Sequence, residues 1–61
     1  MTKKDYVLIA EAINRVVDGI IGNDIAVQTI KTVVDELDLS FRKDNELYQS
    51  DKFRDMALRV N

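Results

Sequence analysis

The chain has no cysteine, histidine, proline or tryptophan, and only two glycines among its 61 residues. Each absence excludes something. Without cysteine no disulfide can staple a small core, and without cysteine or histidine a structural zinc site lacks its usual ligands. The same gaps remove most of the side chains that serve as nucleophiles and general bases in active sites. No apolar run approaches the ~20 residues that span a bilayer. The basic start, Met1-Thr2-Lys3-Lys4-Asp5, is not followed by the apolar core of a signal peptide. A disulfide-free chain of this kind suits a reducing compartment, so the expected location is the cytoplasm.

What is present is helical patterning in a chain that is 46% hydrophobic. Sixty-one residues allow one domain, 1–61, and a domain this small buries only about 60% of its unfolded surface. With no disulfide and no metal, its stability must come from tight packing or from self-association. Net charge is −2 and unevenly spread. Residues 1–21 are balanced, 22–40 are acidic through Asp24, Asp35, Glu36 and Asp38 against Lys31, and 41–61 hold a slight basic excess. That is too acidic for strong non-specific binding to nucleic acid, and far less acidic than a DNA mimic requires.

Thr2 is a good N-cap, with Asp5 three residues on as an imperfect capping box. Tyr6, Ile9, Ala10, Ile13, Val16, Val17 and Ile20 follow at helical spacing, and Leu8 and Ala12 widen the stripe beyond what a surface helix needs. The expected first helix is 3–20. Asp18-Gly19 between β-branched residues is also a hairpin signal. The short arms disfavour that reading, and the helix is expected to fray near Gly19 and stop by Gly22. Asn23 or Asp24 then caps a second helix, 24–44. There Val27, Ile30, Val34, Leu37 and Phe41 alternate in steps of three and four, the spacing of a coiled-coil seam held for two heptads. Asn45 is a plausible C-terminal cap, Tyr48 anchors a connector, and Ser50 caps a third helix, 51–60, with Phe53, Met56, Ala57 and Val60 on its apolar face. Glu11–Arg15, Asp38–Arg42 and Asp55–Arg59 are favourable pairs four residues apart.

The fold class is therefore all-α: an antiparallel helical hairpin with a short third C-terminal helix, completed by dimerisation. The expected core is Tyr6, Ile9, Ile13, Val16, Ile20, Val27, Ile30, Val34, Leu37, Phe41, Tyr48, Phe53 and Met56. It takes in all four aromatics, so none is left as a stacking platform for bases.

Met1-Thr2-Lys3-Lys4-Asp5-Tyr6, with Ile9-Ala10 and Ala12-Ile13 after it, resembles the opening of a group of short proteins encoded by tailed bacteriophages. Asp44-Asn45, Tyr48 and Asp51-Lys52-Phe53 resemble the way those proteins close. Glu46 stands where a proline often follows the Asp-Asn, and the group's late cysteine is missing. The group has no assigned activity, so the resemblance implies an accessory phage protein acting in the host cytoplasm rather than a particular function.

Three constellations bear on function. Asp35, Glu36 and Asp38 form the one carboxylate cluster, which on its expected wet side reads as a solvated acidic face rather than as an acid–base or Mg²⁺ site. Asp24 lacks the ligand spacing of a calcium loop. No cofactor, metal site or catalytic residue is expected. Arg42, Lys43, Lys52, Arg54 and Arg59 could contact phosphate, but Asp44, Glu46, Asp51 and Asp55 interleave with them. Val7, Leu8, Ala12, Ile25, Leu39 and Leu58 fall off or at the edge of the main stripes and form a candidate interface. The leading expectation is a non-enzymatic protein–protein interaction module, a homo-oligomer (dimer) with a possible host or phage protein partner. The alternative is a small nucleic-acid-associated regulator using the basic residues of the C-terminal third.

Overall fold

The computed structural model describes residues 1–60, and among them it contains three α-helices and no strand: α1 (Lys3–Ile20), α2 (Asp24–Asp44) and α3 (Ser50–Leu58). The first two helices have the expected bounds. At the start of α1 the capping box is complete. Thr2 Oγ1 accepts from the Asp5 N–H at 3.4 Å, and the Asp5 carboxylate accepts from the Thr2 N–H at 2.9 Å. The helix runs unbroken through Asp18 and Gly19, so these residues make no hairpin. It ends where Gly22 takes a positive φ of 93°, a conformation that favours a residue without a Cβ. Asn23 caps α2 by accepting the Ala26 N–H at 3.0 Å. Along α2, Thr29, Thr32 and Ser40 donate their hydroxyls to the carbonyls four residues back, so these polar side chains find acceptors within their own helix.

α1 and α2 are antiparallel. The Met1 amino group lies 3.7 Å from the Asp44 carboxylate, and the Tyr6 and Phe41 rings are 4.9 Å apart. α3 then folds back, antiparallel to α2 and parallel to α1. The Ser50 hydroxyl reaches Asp38, Arg54 reaches Asp35, and Asn14 reaches Ala57 and Arg59. The closest approach is between α1 and α3, where Ala10 and Ala57, both fully buried, let the backbones come together.

The core contains Tyr6, Ala10, Ile13, Val17, Val34, Phe41, Phe53 and Ala57, with Ile9, Ile30, Leu37, Tyr48, Met56 and Leu58 packed against it. All four aromatics meet in one cluster with ring centroids 4.9–5.9 Å apart, within the range that favours tilted and edge-to-face contacts.

Several sequence expectations are corrected. Val16 is not core: it is 49% exposed, and Val17 is buried in its place. Ile20 and Val27 are only half-buried, because α3 is too short to reach them. At nine residues it spans ~14 Å, against ~32 Å for α2. α3 begins one residue early, with Gln49 as an N-cap that makes no side-chain cap bond, since the Ser50 hydroxyl is turned to Asp38 instead. It ends at Leu58, where the Asn14 side-chain amide donates to the Ala57 and Arg59 carbonyls at 3.2 and 2.7 Å. Val60 therefore lies beyond the helix and is exposed.

A charge at Ile13 or Val34 should abolish the fold, because a core this small supplies only ~3–5 kcal/mol. A soluble Ile13→Asp variant with wild-type circular dichroism would contradict this packing. The two glycines should respond oppositely to alanine. A Cβ at either meets no atom within 4 Å. Gly19→Ala should therefore raise the melting temperature through helix propensity, by roughly 0.5–1 kcal/mol, whereas Gly22→Ala should lower it because of the positive φ.

Candidate functional site

Asp38, expected on a solvated face, is the one buried charged residue among the described residues, at 4% exposure. It follows Val34 by four positions on α2 and turns toward α3. Its Oδ1 accepts hydrogen bonds from the Tyr48 hydroxyl and the Ser50 hydroxyl, both at 2.6 Å. Its Oδ2 lies 2.9 Å from Arg42 and 3.8 Å from Arg54. Arg42 also donates to Ser50 Oγ at 2.9 Å, and Arg54 reaches Asp35 at 2.7 Å. Burial pushes the Asp38 pKa up, but the Ser50 and Tyr48 hydrogen bonds and the two guanidinium charges outweigh it, so the carboxyl is held below the ordinary range. Burial and the Asp38 hydrogen bond push the Tyr48 phenol up, which keeps it a proton donor. Every oxygen of this carboxylate is occupied by a neighbour, so the group ties the connector to two helices and has no free position for acid–base work. Among the described residues no group of three or more acidic, histidine or cysteine side chains could hold a metal ion.

The same arrangement disposes of most of the basic residues. Arg42 and Arg54 are paired with Asp38 and Asp35, and Arg59 is paired with Asp55 at 2.7 Å. The expected pairs Asp38–Arg42 and Asp55–Arg59 both form, the first of them partly buried.

The candidate interface residues do not come together. Leu58 packs against the core. Val7 is half-buried and lines a groove on the α3 side. Leu8, Ala12, Ile25 and Leu39 are exposed, with Ile25 at 82%; Leu8 and Ala12, four residues apart, share one side of α1, and Ile25 and Leu39, two heptads apart, share one side of α2. Of the six, Ala12 falls on a coherent surface.

That surface is the side of the hairpin opposite α3. Asp35, Asp38 and Asn14 mark the side that α3 covers. Turning each helix the other way from its buried stripe brings up Ile9, Ala12, Val16 and Ile20 on α1, in steps of three, four and four. On α2 it brings up Ala26, Ile30, Val33 and Leu37, in steps of four, three and four. These residues are half-buried or exposed, and Val16 and Val33 are 49% and 43% exposed. None of the eight is charged, and two are alanines. Sequence periodicity alone missed this face because five of its members, Ile9, Val16, Ile20, Ile30 and Leu37, had been assigned to the core; what leaves them less than fully buried is the shortness and one-sided placement of α3.

No protein-family model, curated protein or solved structure matches the chain. No helix among the described residues is long and apolar enough to cross a membrane.

Removing Asp38 should cost far more than a surface pair. Asp38→Ala should destabilise by about 2 kcal/mol, since it leaves the Tyr48 and Ser50 hydroxyls without their acceptor while the more exposed guanidiniums return to water, and Tyr48→Phe by about 1 kcal/mol. The depressed Asp38 pKa contributes stability that is full above its unfolded value of ~3.9 and is lost as pH falls through the lower folded value. Wild-type melting temperature should therefore fall as pH drops below about 4. In Asp38→Asn the fall should be smaller, with the remainder including Asp5, whose pKa its Thr2 hydrogen bonds also lower.

Proposed function

We propose that this protein is a non-enzymatic interaction module that works as a homodimer, two copies joined through the face of Ile9, Ala12, Val16 and Ile20 with Ala26, Ile30, Val33 and Leu37. The observation that carries the proposal is this uncharged two-helix surface, left bare because α3 packs on the other side. A second hairpin laid against it completes a four-helix layer, and Ala12 and Ala26 allow close approach. The step pattern on both helices is that of helix–helix seams.

Two quantities support the occupant. The chain exposes 4439 Å², whereas a compact monomer of 7.0 kDa exposes about 4,000 Å². The molecule's broad side measures 34 × 18 Å, about 600 Å² per copy, which sets an upper limit of about 1,200 Å² on pairing, the lower bound of stable interfaces. Association also offsets the small size of a single-chain core.

The dimer leaves the α3 side open for a second protein. The terminal resemblance to short tailed-phage proteins is the basis for proposing a phage accessory role in a host cytoplasm. The nucleic-acid alternative has less to draw on, since Arg42, Arg54 and Arg59 are committed to carboxylates and only Lys43 and Lys52 of the five basic residues have no ion pair among the described residues.

Light scattering across a concentration series should give twice the 7.0 kDa chain mass for the wild type. Val16→Glu combined with Val33→Glu should give the single-chain mass with helicity retained, since neither side chain belongs to the buried core. A wild type that stays monomeric at high concentration would remove the dimer.

A further inference from the structure

We propose that the groove between the N-terminal half of α1, the connector and α3 binds an acidic peptide segment that inserts a large apolar side chain. This site is separate from the dimer face and rests on the interaction-module reading only in taking the ligand to be a protein segment.

The groove has a volume of about 380 Å³, at the small end of the ~300–1,000 Å³ typical of ligand sites. It is open along one side, the shape for a side chain presented by an extended or helical segment rather than for an enclosed small molecule. Its floor is apolar: Tyr6, Val7, Ala10, Phe53 and Met56. Leu47 forms the lip. It is 83% exposed on the connector, the most exposed of the large apolar side chains, and is held there because the Asn45 side chain accepts the Leu47 N–H at 2.9 Å.

Charge selects the ligand's sign. The chain is acidic overall, with 11 Asp and Glu residues, yet no carboxylate lines the groove. Its charged side chains are Lys3 and Lys52, one on α1 and one on α3, and neither is engaged in an ion pair among the described residues. The nearby acids are elsewhere engaged or turned outward. Asp5 is bonded to Thr2, Asp44 is paired with the Met1 amino group, and Glu46 and Asp51 are exposed and outside the lining. The first turn of α3 borders the groove, and Gln49 leaves its N–H groups without a side-chain cap, which adds positive potential on the same side. The Tyr6 hydroxyl, buried beneath the groove, has no hydrogen-bond partner among the described residues. Carboxylates that flank an inserted apolar side chain would meet Lys3 and Lys52 on opposite walls.

The test is fluorescence anisotropy with a labelled eight-residue peptide carrying a Leu-Phe pair flanked by Glu on both sides. Its control is the same peptide with Lys in place of Glu. The Glu peptide should bind and the Lys peptide should not. Lys3→Glu with Lys52→Glu should weaken binding about tenfold or more and reverse its salt dependence, because salt then screens repulsion and no longer attraction. Both positions lie in first helical turns, where an acid does not harm the helix, and circular dichroism checks this. Leu47→Asp should weaken binding without altering the fold. Equal binding of the two peptides, binding unchanged by the double charge reversal, or no binding at ~1 mM peptide overturns the proposal. So does dodecanoate binding where the Glu peptide fails, which would make the groove a lipid-carboxylate site. Repeating the titration on the Val16→Glu, Val33→Glu variant separates the two readings: groove binding by a monomer leaves this site standing whatever becomes of the dimer.

Discussion

The structure turns on one buried carboxylate. Asp38 could be taken out of water only because four groups from three parts of the chain converge on it: Arg42 from its own helix, Tyr48 from the connector, and Ser50 and Arg54 from α3. An ion brought into a core without such partners costs several kcal/mol. The arrangement is therefore directional in a way that apolar packing is not. It sets where α3 begins, which way it runs and how far it can slide along α2. The aromatic cluster beside it supplies the burial, and the carboxylate fixes the register in which that burial occurs.

Once α3 is fixed at that end and on that side, the rest follows from its length. Nine residues cover roughly half of a hairpin whose longer arm has 21. The distal turns of α1 and α2 remain half-buried, and on the opposite side Ala12, Val16 and Val33 stay exposed. The two surfaces that result differ in character. The bare side is broad, uncharged and rich in small and β-branched residues, suited to another copy of the same surface. The groove beside α3 is narrow, lipped by Leu47 and flanked by lysines, suited to a ligand unlike the protein itself.

Much of this was legible in the residues. Thr2 and Asn23 mark the two helix starts and Gly22 the stop between them, and the three-four alternation of Val27 to Phe41 located the second helix to the residue. The four aromatics could be assigned to the core because Tyr6, Phe41 and Phe53 fell on apolar stripes and Tyr48 next to one. What was not legible is what depends on the third dimension. The stripe on α1 is wide enough to bury either Val16 or Val17, and only the position of α3 selects Val17. Asp38 reads as one more acid on a wet face until the connector brings Tyr48 and Ser50 back over it. Ser50 has the identity of a helix cap, and the stronger acceptor took its hydroxyl. The candidate interface residues came from separate stripes and need not share a side of the molecule, whereas most of the face opposite α3 consists of residues that looked like core.

The two hydrogen bonds from Asn14 have a consequence for how the chain acquires its shape. They close α3 against α1 across 43 and 45 residues of sequence, about three quarters of the 61 residues. At a synthesis rate of ~5–20 residues per second, α1 exists for seconds before the segment that covers it has been made. During that interval the apolar stripes of both hairpin helices are open to whatever is nearby, and neither arm can reach its final packing. The contacts that complete the core thus form only after α3 has been made. A chain cut short before Ala57 would lose the contact that joins its first third to its last.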